Sequence, residues 1–342
     1  MELRFMNELP MKPELITCPY CEAPERIGIH SKKDRRYKCH NCHKSFTETS
    51  GTVFYGLHYP VWLIVVVLSL LAYGCPVPAI VGAFLIDERT IREWLERAGQ
   101  YAKNLQEELV CNGKIELGQV QADELCINTQ KGKVWMATAM SVFSRLFIWG
   151  VVSVHRDKAM ILKLMTKVKC AAKSHLDDIL IAVDGFSVYM KVILKTFYSK
   201  VYTGLRGRPC HKIWENLHIV QVIKSHKGRR LANICRKVVY GCSDTAYQII
   251  TMTQIELGRI NTAFIERLNG TFRNRMPSLV RRTRNLALKP ERLESEMFWS
   301  GLIYNFCTIH SSLGATPAMA ADLTDKKWSV EQLLKFKIYN FT

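Results

Sequence analysis

No stretch of this sequence is apolar for long enough to cross a bilayer. The longest apolar run, Val61–Ala72, has twelve residues, short of the ~20 that a spanning helix needs, and reads as a buried helix. No membrane partner is expected. Residues 1–13 are mixed in character and lack the apolar stretch of a secretory signal, which predicts a cytoplasmic, nucleoid-associated chain. A disulfide framework is missing as well. Of 12 cysteines, four form two close pairs, and the scattered remainder reads as small core residues in a reducing compartment. Acid is scarce: 30 Asp and Glu stand against 48 Lys and Arg, a formal net charge of +18. The deficit is also local, since Glu215 is the only acid between Lys200 and Lys237 and none occurs from Arg267 to Arg284. Such a surplus points to a polyanion, nucleic acid ahead of an anionic membrane surface.

What is present begins with Cys18-Pro-Tyr-Cys21 and Cys39-His-Asn-Cys42. Two C-x2-C knuckles at this separation predict a zinc ribbon over residues 14–50, with Cys18, Cys21, Cys39 and Cys42 holding a structural Zn2+. Tyr37 and Phe46 are available to pack beside the metal, and His40 and His43 stand as substitute ligands. Between the knuckles, Lys32, Lys33, Arg35, Arg36 and Lys38 face only Asp34, which suits a tip that meets phosphates; a protein contact is the alternative. Residues 58–110 then take a helical period, broken at Gly74-Cys-Pro76. Three short helices predict a helix-turn-helix-like DNA-binding region. Its outward face mixes Arg89, Arg92, Arg97 and Lys103 with Glu88, Glu93 and Glu96, so a structural spacer stays open beside DNA reading. Residues 106–113 read as the linker to the next domain.

Three strand candidates follow: one around Asp123, then 134–142 and 146–154. A helix over 157–169 and the unbroken apolar run Ile179-Leu-Ile-Ala-Val183 come next. Periodicity predicts mixed α/β. Asp123 interrupts the first strand, Asp184 ends the apolar run just before Gly185, and Glu266 shares a helical stripe with Asn269 and Arg273. Two strand-borne aspartates and a helix-borne glutamate supply the rigid oxygen ligands that a pair of hard divalent cations requires. Glu124, next to Asp123, is expected on the opposite strand face as a bystander.

On Ala122-Asp123-Glu124, Val183-Asp184-Gly185, and Glu266 with Arg267, Asn269 and Arg273 behind it, the chain resembles the DDE transposases of prokaryotic insertion sequences. The likeness is greatest to the insertion-sequence-one type with an amino-terminal zinc ribbon, and it extends to the ending Tyr304-Asn305, His310-Ser-Ser-Leu313 and Thr316-Pro317. The resemblance implies an RNase H-like DDE catalytic domain over 116–322 with an insertion at about 195–255, and a C-terminal tail over 323–342. It implies Asp123, Asp184 and Glu266 as ligands of two Mg2+ or Mn2+ ions. It also implies strand cleavage and transfer on double-stranded DNA, at element ends and target, by a homo-oligomer in a synaptic complex, with Arg273 near the scissile phosphate. Further DNA contacts are expected from Arg35, Arg36, Arg206, Arg208, Arg267, Asn269, Arg275, Arg281, Arg282 and Arg284. A non-enzymatic DNA-binding protein and a structure-selective nuclease of the same fold remain as alternatives.

Overall fold

The computed structural model describes residues 11–13, 16–21, 23, 26–202, 208–228, 230–253, 258–280 and 289–338. At the amino end, β1 (Ile27–Ser31), β2 (Arg36–Cys39) and β3 (Ser45–Thr47) form an antiparallel three-stranded sheet. Its small core is Tyr37 stacked on Phe46, ring centroids 5.9 Å apart, beside Cys18 and Cys39.

Three helices follow: α1 (Val61–Ala72), α2 (Val77–Phe84) and α3 (Glu88–Val110). Asp87 caps α3 by accepting from the Arg89 N–H at 2.8 Å. The helix is 23 residues long and runs through most of the expected linker. Gln106, fully buried, donates from Nε2 to the carbonyls of Phe147 and Ile148 at 2.7 and 3.0 Å, which ties this stretch to the central sheet. Nor is α3 presented as a free reading helix. It lies against α8 (Pro290–Cys307) so closely that a Cβ on Gly99 would sit 2.4 Å from Ser295 Cα. None of the described helices is long and apolar enough to cross a membrane.

The centre is a six-stranded mixed sheet. Strand β4 (Gln119–Thr129) pairs antiparallel with β5 (Gly132–Ser141), and β5 pairs likewise with β6 (Phe147–Ser153). On its other side β4 pairs in parallel with β7 (Ile179–Asp184), β7 in parallel with β10 (Leu217–Lys227), and β10 antiparallel with β11 (Arg230–Tyr240), giving the order β11-β10-β7-β4-β5-β6. The continuous apolar sequence of β7 follows from this place between two strands, covered by helices on both faces. Between β6 and β7 runs α4 (Lys158–Ala171), and after β7 come α5 (Ser187–Thr196) and the two-stranded β8 (Tyr198–Val201) and β9 (Cys210–Ile213). Among the described residues after β4, only β8 and β9 stand off the main sheet. The expected insertion is therefore shorter than residues 195–255, because β10, β11 and α6 (Ser243–Thr253) belong to the central layer system.

One buried core runs from Val53 to Ile338. It includes α7 (Ala263–Arg275), α8, α9 (Pro317–Ala320) and α10 (Val330–Lys335). The expected C-terminal tail is thus part of the body. Leu333 and Leu334 are buried, the Tyr101 hydroxyl donates to Leu333 O at 2.9 Å, and the Ile338 N–H reaches Gly51 O at 3.1 Å.

Candidate metal centre

Strand alternation divides the β4 side chains between two helices. Gln121 and Asp123 face α7: Gln121 Oε1 accepts the N–H groups of Phe264 and Ile265, each at 3.0 Å, and so fixes the helix start over the strand. One turn on, the Asn269 amide donates to Asp123 Oδ2 at 3.0 Å and accepts from Thr138 Oγ1 of β5 at 3.0 Å. Asn269 is only 1% exposed. It holds Asp123 at the cleft wall.

Asp184 ends β7, where the parallel neighbours β4 and β10 lie on either side. Its Oδ1 accepts the Phe186 N–H at 2.9 Å, and its Oδ2 lies 3.1 Å from Arg156 Nη2. The same nitrogen meets Glu124 Oε2 at 3.0 Å, and the guanidinium lies over the Phe186 ring, 4.0 Å from its centroid. Glu124 does leave β4 on the face opposite Asp123, next to the buried Tyr189 hydroxyl of α5. Its carboxylate is nevertheless no bystander: it has no exposure, and one oxygen each from Asp123, Glu124 and Asp184 lie within 4.8 Å of one another.

Glu266, in the first turn of α7, lines the same cleft of about 910 Å³ but stays outside that trio. Its Oε1 forms an ion pair with Lys224 of β10 and accepts from Thr262 Oγ1 at 2.9 Å. The expected grouping of Asp123, Asp184 and Glu266 is met as a shared cleft, while the close grouping contains Glu124. Burial raises the Asp123 carboxyl to about 6, with Asp184 and Glu266 adding repulsion, and burial raises Glu124 to about 7. A buried carboxylate set raised in this way is short of positive charge, and its hard oxygen donors suit a divalent cation of the Mg2+ kind. Arg156, Lys224 and Arg273 are the basic side chains on the cleft wall.

The four paired cysteines also converge. Cys18 and Cys42 sulfurs are 3.6 Å apart, and Cys21 and Cys39 sulfurs 3.7 Å. A tetrahedron with metal–sulfur bonds of ~2.3 Å has edges of about 3.8 Å, so these four could hold one ion. Among the described residues no histidine joins the group; His40 Nε2 points at Gly28, where a Cβ would be 2.8 Å away. Backbone N–H contact at Ala23 and the Asn41 amide lower the Cys21 thiol to about 6, whereas burial pushes Cys18 up to about 12.

The other expected DNA contacts divide. Arg273 lines the cleft, and Arg267, Arg36 and Arg208 are exposed. Arg35 is engaged by Glu48 at 2.6 Å. Arg275 is turned inward, between the rings of Tyr73 and Tyr304, and donates to Thr308 Oγ1 at 3.0 Å. It is a packing residue, because the end of α7 is closed off by α1 and α8. Arg206, Arg281, Arg282 and Arg284 lie outside the described residues. Sequence reading missed Arg156, Lys224 and Thr138. No local signal marks them, since each reaches its carboxylate or amide only through strand order. Compared with known proteins, the chain matches no family model and no curated protein.

Proposed function

We propose that the chain is a metal-dependent DNA transposase that cleaves and joins strands at the ends of an insertion element, with Asp123, Asp184 and Glu266 around the reacting phosphate and Glu124 beside them. The observation that carries this reading is the position of two aspartates on adjacent parallel strands with a helix-borne glutamate facing them across one cleft. The sheet supports it. A three-stranded antiparallel meander continued by parallel strands on the side of its first strand, as in β6-β5-β4-β7-β10, is the order of an RNase H-like core.

Bound at these oxygens, Mg2+ or Mn2+ would supply Lewis-acid activation of a water or 3′-hydroxyl and charge relief at phosphorus. The protein's own groups do the rest. Asn269, braced by Thr138, orients Asp123. Arg156 keeps Glu124 and Asp184 together, and Arg273 offers a phosphate contact at the cleft wall. A Zn2+ held by Cys18, Cys21, Cys39 and Cys42 would fix the ribbon, whose exposed Lys32, Lys33 and Arg36 suit DNA. Synapsis of two ends would require more than one copy of the chain.

One observation favours a second reading, a DNA-binding protein without chemistry. Arg156 already pairs with Glu124 and Asp184, and Lys224 with Glu266, so the carboxylates have cationic partners of their own. Nicking of supercoiled plasmid carrying the element's own flanks, with Mg2+ or Mn2+, separates the two. The parent protein should nick, and Asp123→Asn, Asp184→Asn and Glu266→Gln should each fall by a factor on the order of 10² or more while still binding DNA. No metal-dependent nicking by the parent, or full activity in any of the three variants, overturns the transposase reading.

A further inference from the structure

The last pairing between β10 and β7 is Val222 with Asp184, but β10 continues to Lys227 and β11 returns from Arg230. Beyond the sheet these two strands form a free ribbon, with Lys224 opposite Ile234, Ser225 opposite Asn233 and Lys227 opposite Arg230. Its described side chains from Arg230 to Asn233 are all exposed, as are Lys224, Ser225 and Lys227. Ile234 still packs on the core beside β7 and β10, and Lys224 pairs with Glu266, whereas the outer part, Ser225 and Lys227 with Arg230–Asn233, has little apolar burial of its own to hold it. The ribbon's charge has one sign: the sequence has no acid between Glu215 and Asp244, and Arg236 and Lys237 extend the basic side of β11 toward the sheet. Its base is the cleft itself, since Val222, Ile223 and Lys224 line it together with Asp123 and Asp184. Charge on an edge strand also works against pairing with a second copy's edge.

We infer that the outer parts of β10 and β11, residues 223–227 and 230–235, form a DNA-gripping ribbon, which enters a groove of the duplex flanking the phosphate held in the cleft. This rests on the reading of the cleft as a DNA-processing centre. The five residues of β10 beyond Val222 reach roughly 17 Å, and the major groove, about 12 Å wide, admits a two-stranded ribbon. Lys227 and Arg230, paired at the far end, would meet phosphates on the groove walls, and the polar Asn233 would face base edges. With its base in the cleft wall, a seated ribbon would set the direction in which the duplex crosses the carboxylates.

The test uses the full chain and a Lys227→Ala/Arg230→Ala double variant, with substitutions in exposed positions that leave the sheet intact. Binding to a short linear duplex is measured against salt, and Mn2+ binding is measured separately by calorimetry. The slope of log affinity against log salt should fall by about two in the variant, with affinity near 0.1 M salt reduced on the order of tenfold or more. Mn2+ binding should be unchanged. An unchanged slope in a chain that does bind duplex overturns the ribbon alone. A parent chain that binds no duplex overturns the ribbon and the proposed function together. Vesicles rich in anionic lipid serve as the competing polyanion, and variant-sensitive binding to them in place of duplex also overturns the groove assignment.

Discussion

Asp123 and Glu124 are adjacent in sequence and have different keepers, the uncharged Asn269 amide for one and the Arg156 guanidinium for the other. Burial raises both carboxyls, to about 6 and about 7, from an unfolded range of about 4. A carboxyl raised by folding stabilises the native state while protonated. That contribution is complete below about pH 4 and is lost as pH climbs through the two raised values. Without added divalent ion, Asp123→Asn should therefore melt higher than the parent by a margin that grows from about pH 4 to about pH 7 and then levels off. Melting curves across this window check it, and a margin that shrinks with rising pH contradicts the burial. Added Mn2+ should reverse the order, because ionised oxygens are what a cation binds. None of this was legible at the residue level: strand alternation correctly separates the two side chains, but the length of the glutamate brings its carboxylate back to the strand-end cluster.

At the scale of elements, the amino-terminal sheet has the least to hold it. Its buried apolar content is little more than Tyr37, Phe46 and the knuckle cysteines, and so small a core needs a metal to keep its shape. Cys39→Ser should release about one zinc per chain and leave the rest of the body folded; elemental analysis beside a thermal melt measures both. Unchanged zinc content would remove the ribbon assignment. The knuckles were readable because their spacing is local. The same holds for β5, β6 and α4, whose period is written in consecutive residues. Where the sequence misled, the deciding partner was distant. Polar Gln106 looked like the start of a linker until the carbonyls of Phe147 and Ile148 gave it a buried role. Lys224 looked like one more basic residue until β10 lay beside β7. Arg275 belonged to a basic run by sequence, and only the packing of α7 on Tyr73 and Tyr304 turned it inward.

Across the whole molecule, α1 has most of its partners far along the chain. Ile64, Val67 and Leu68 are buried, and the Trp299 indole donates to Leu68 O at 2.9 Å across a sequence separation of 231 residues. The same N-terminal half is sealed by Tyr101 against Leu333 and by Gly51 against Ile338. A fragment ending at residue 113 should accordingly fail to fold as a separate DNA-reading module, and should become soluble when residues 114–342 are made beside it. Sedimentation of the two preparations decides this, and a soluble fragment that unfolds cooperatively would contradict the core that α1 and α3 share with α8 and α10. In the cell the chain is made from its amino end, at ~5–20 residues per second, so α1 emerges on the order of ten to fifty seconds before Trp299 can cover it. For that interval the most apolar segment of the protein lacks the cover of α8 and α10, and yield should rise when a chaperone that shields nascent chains is supplied.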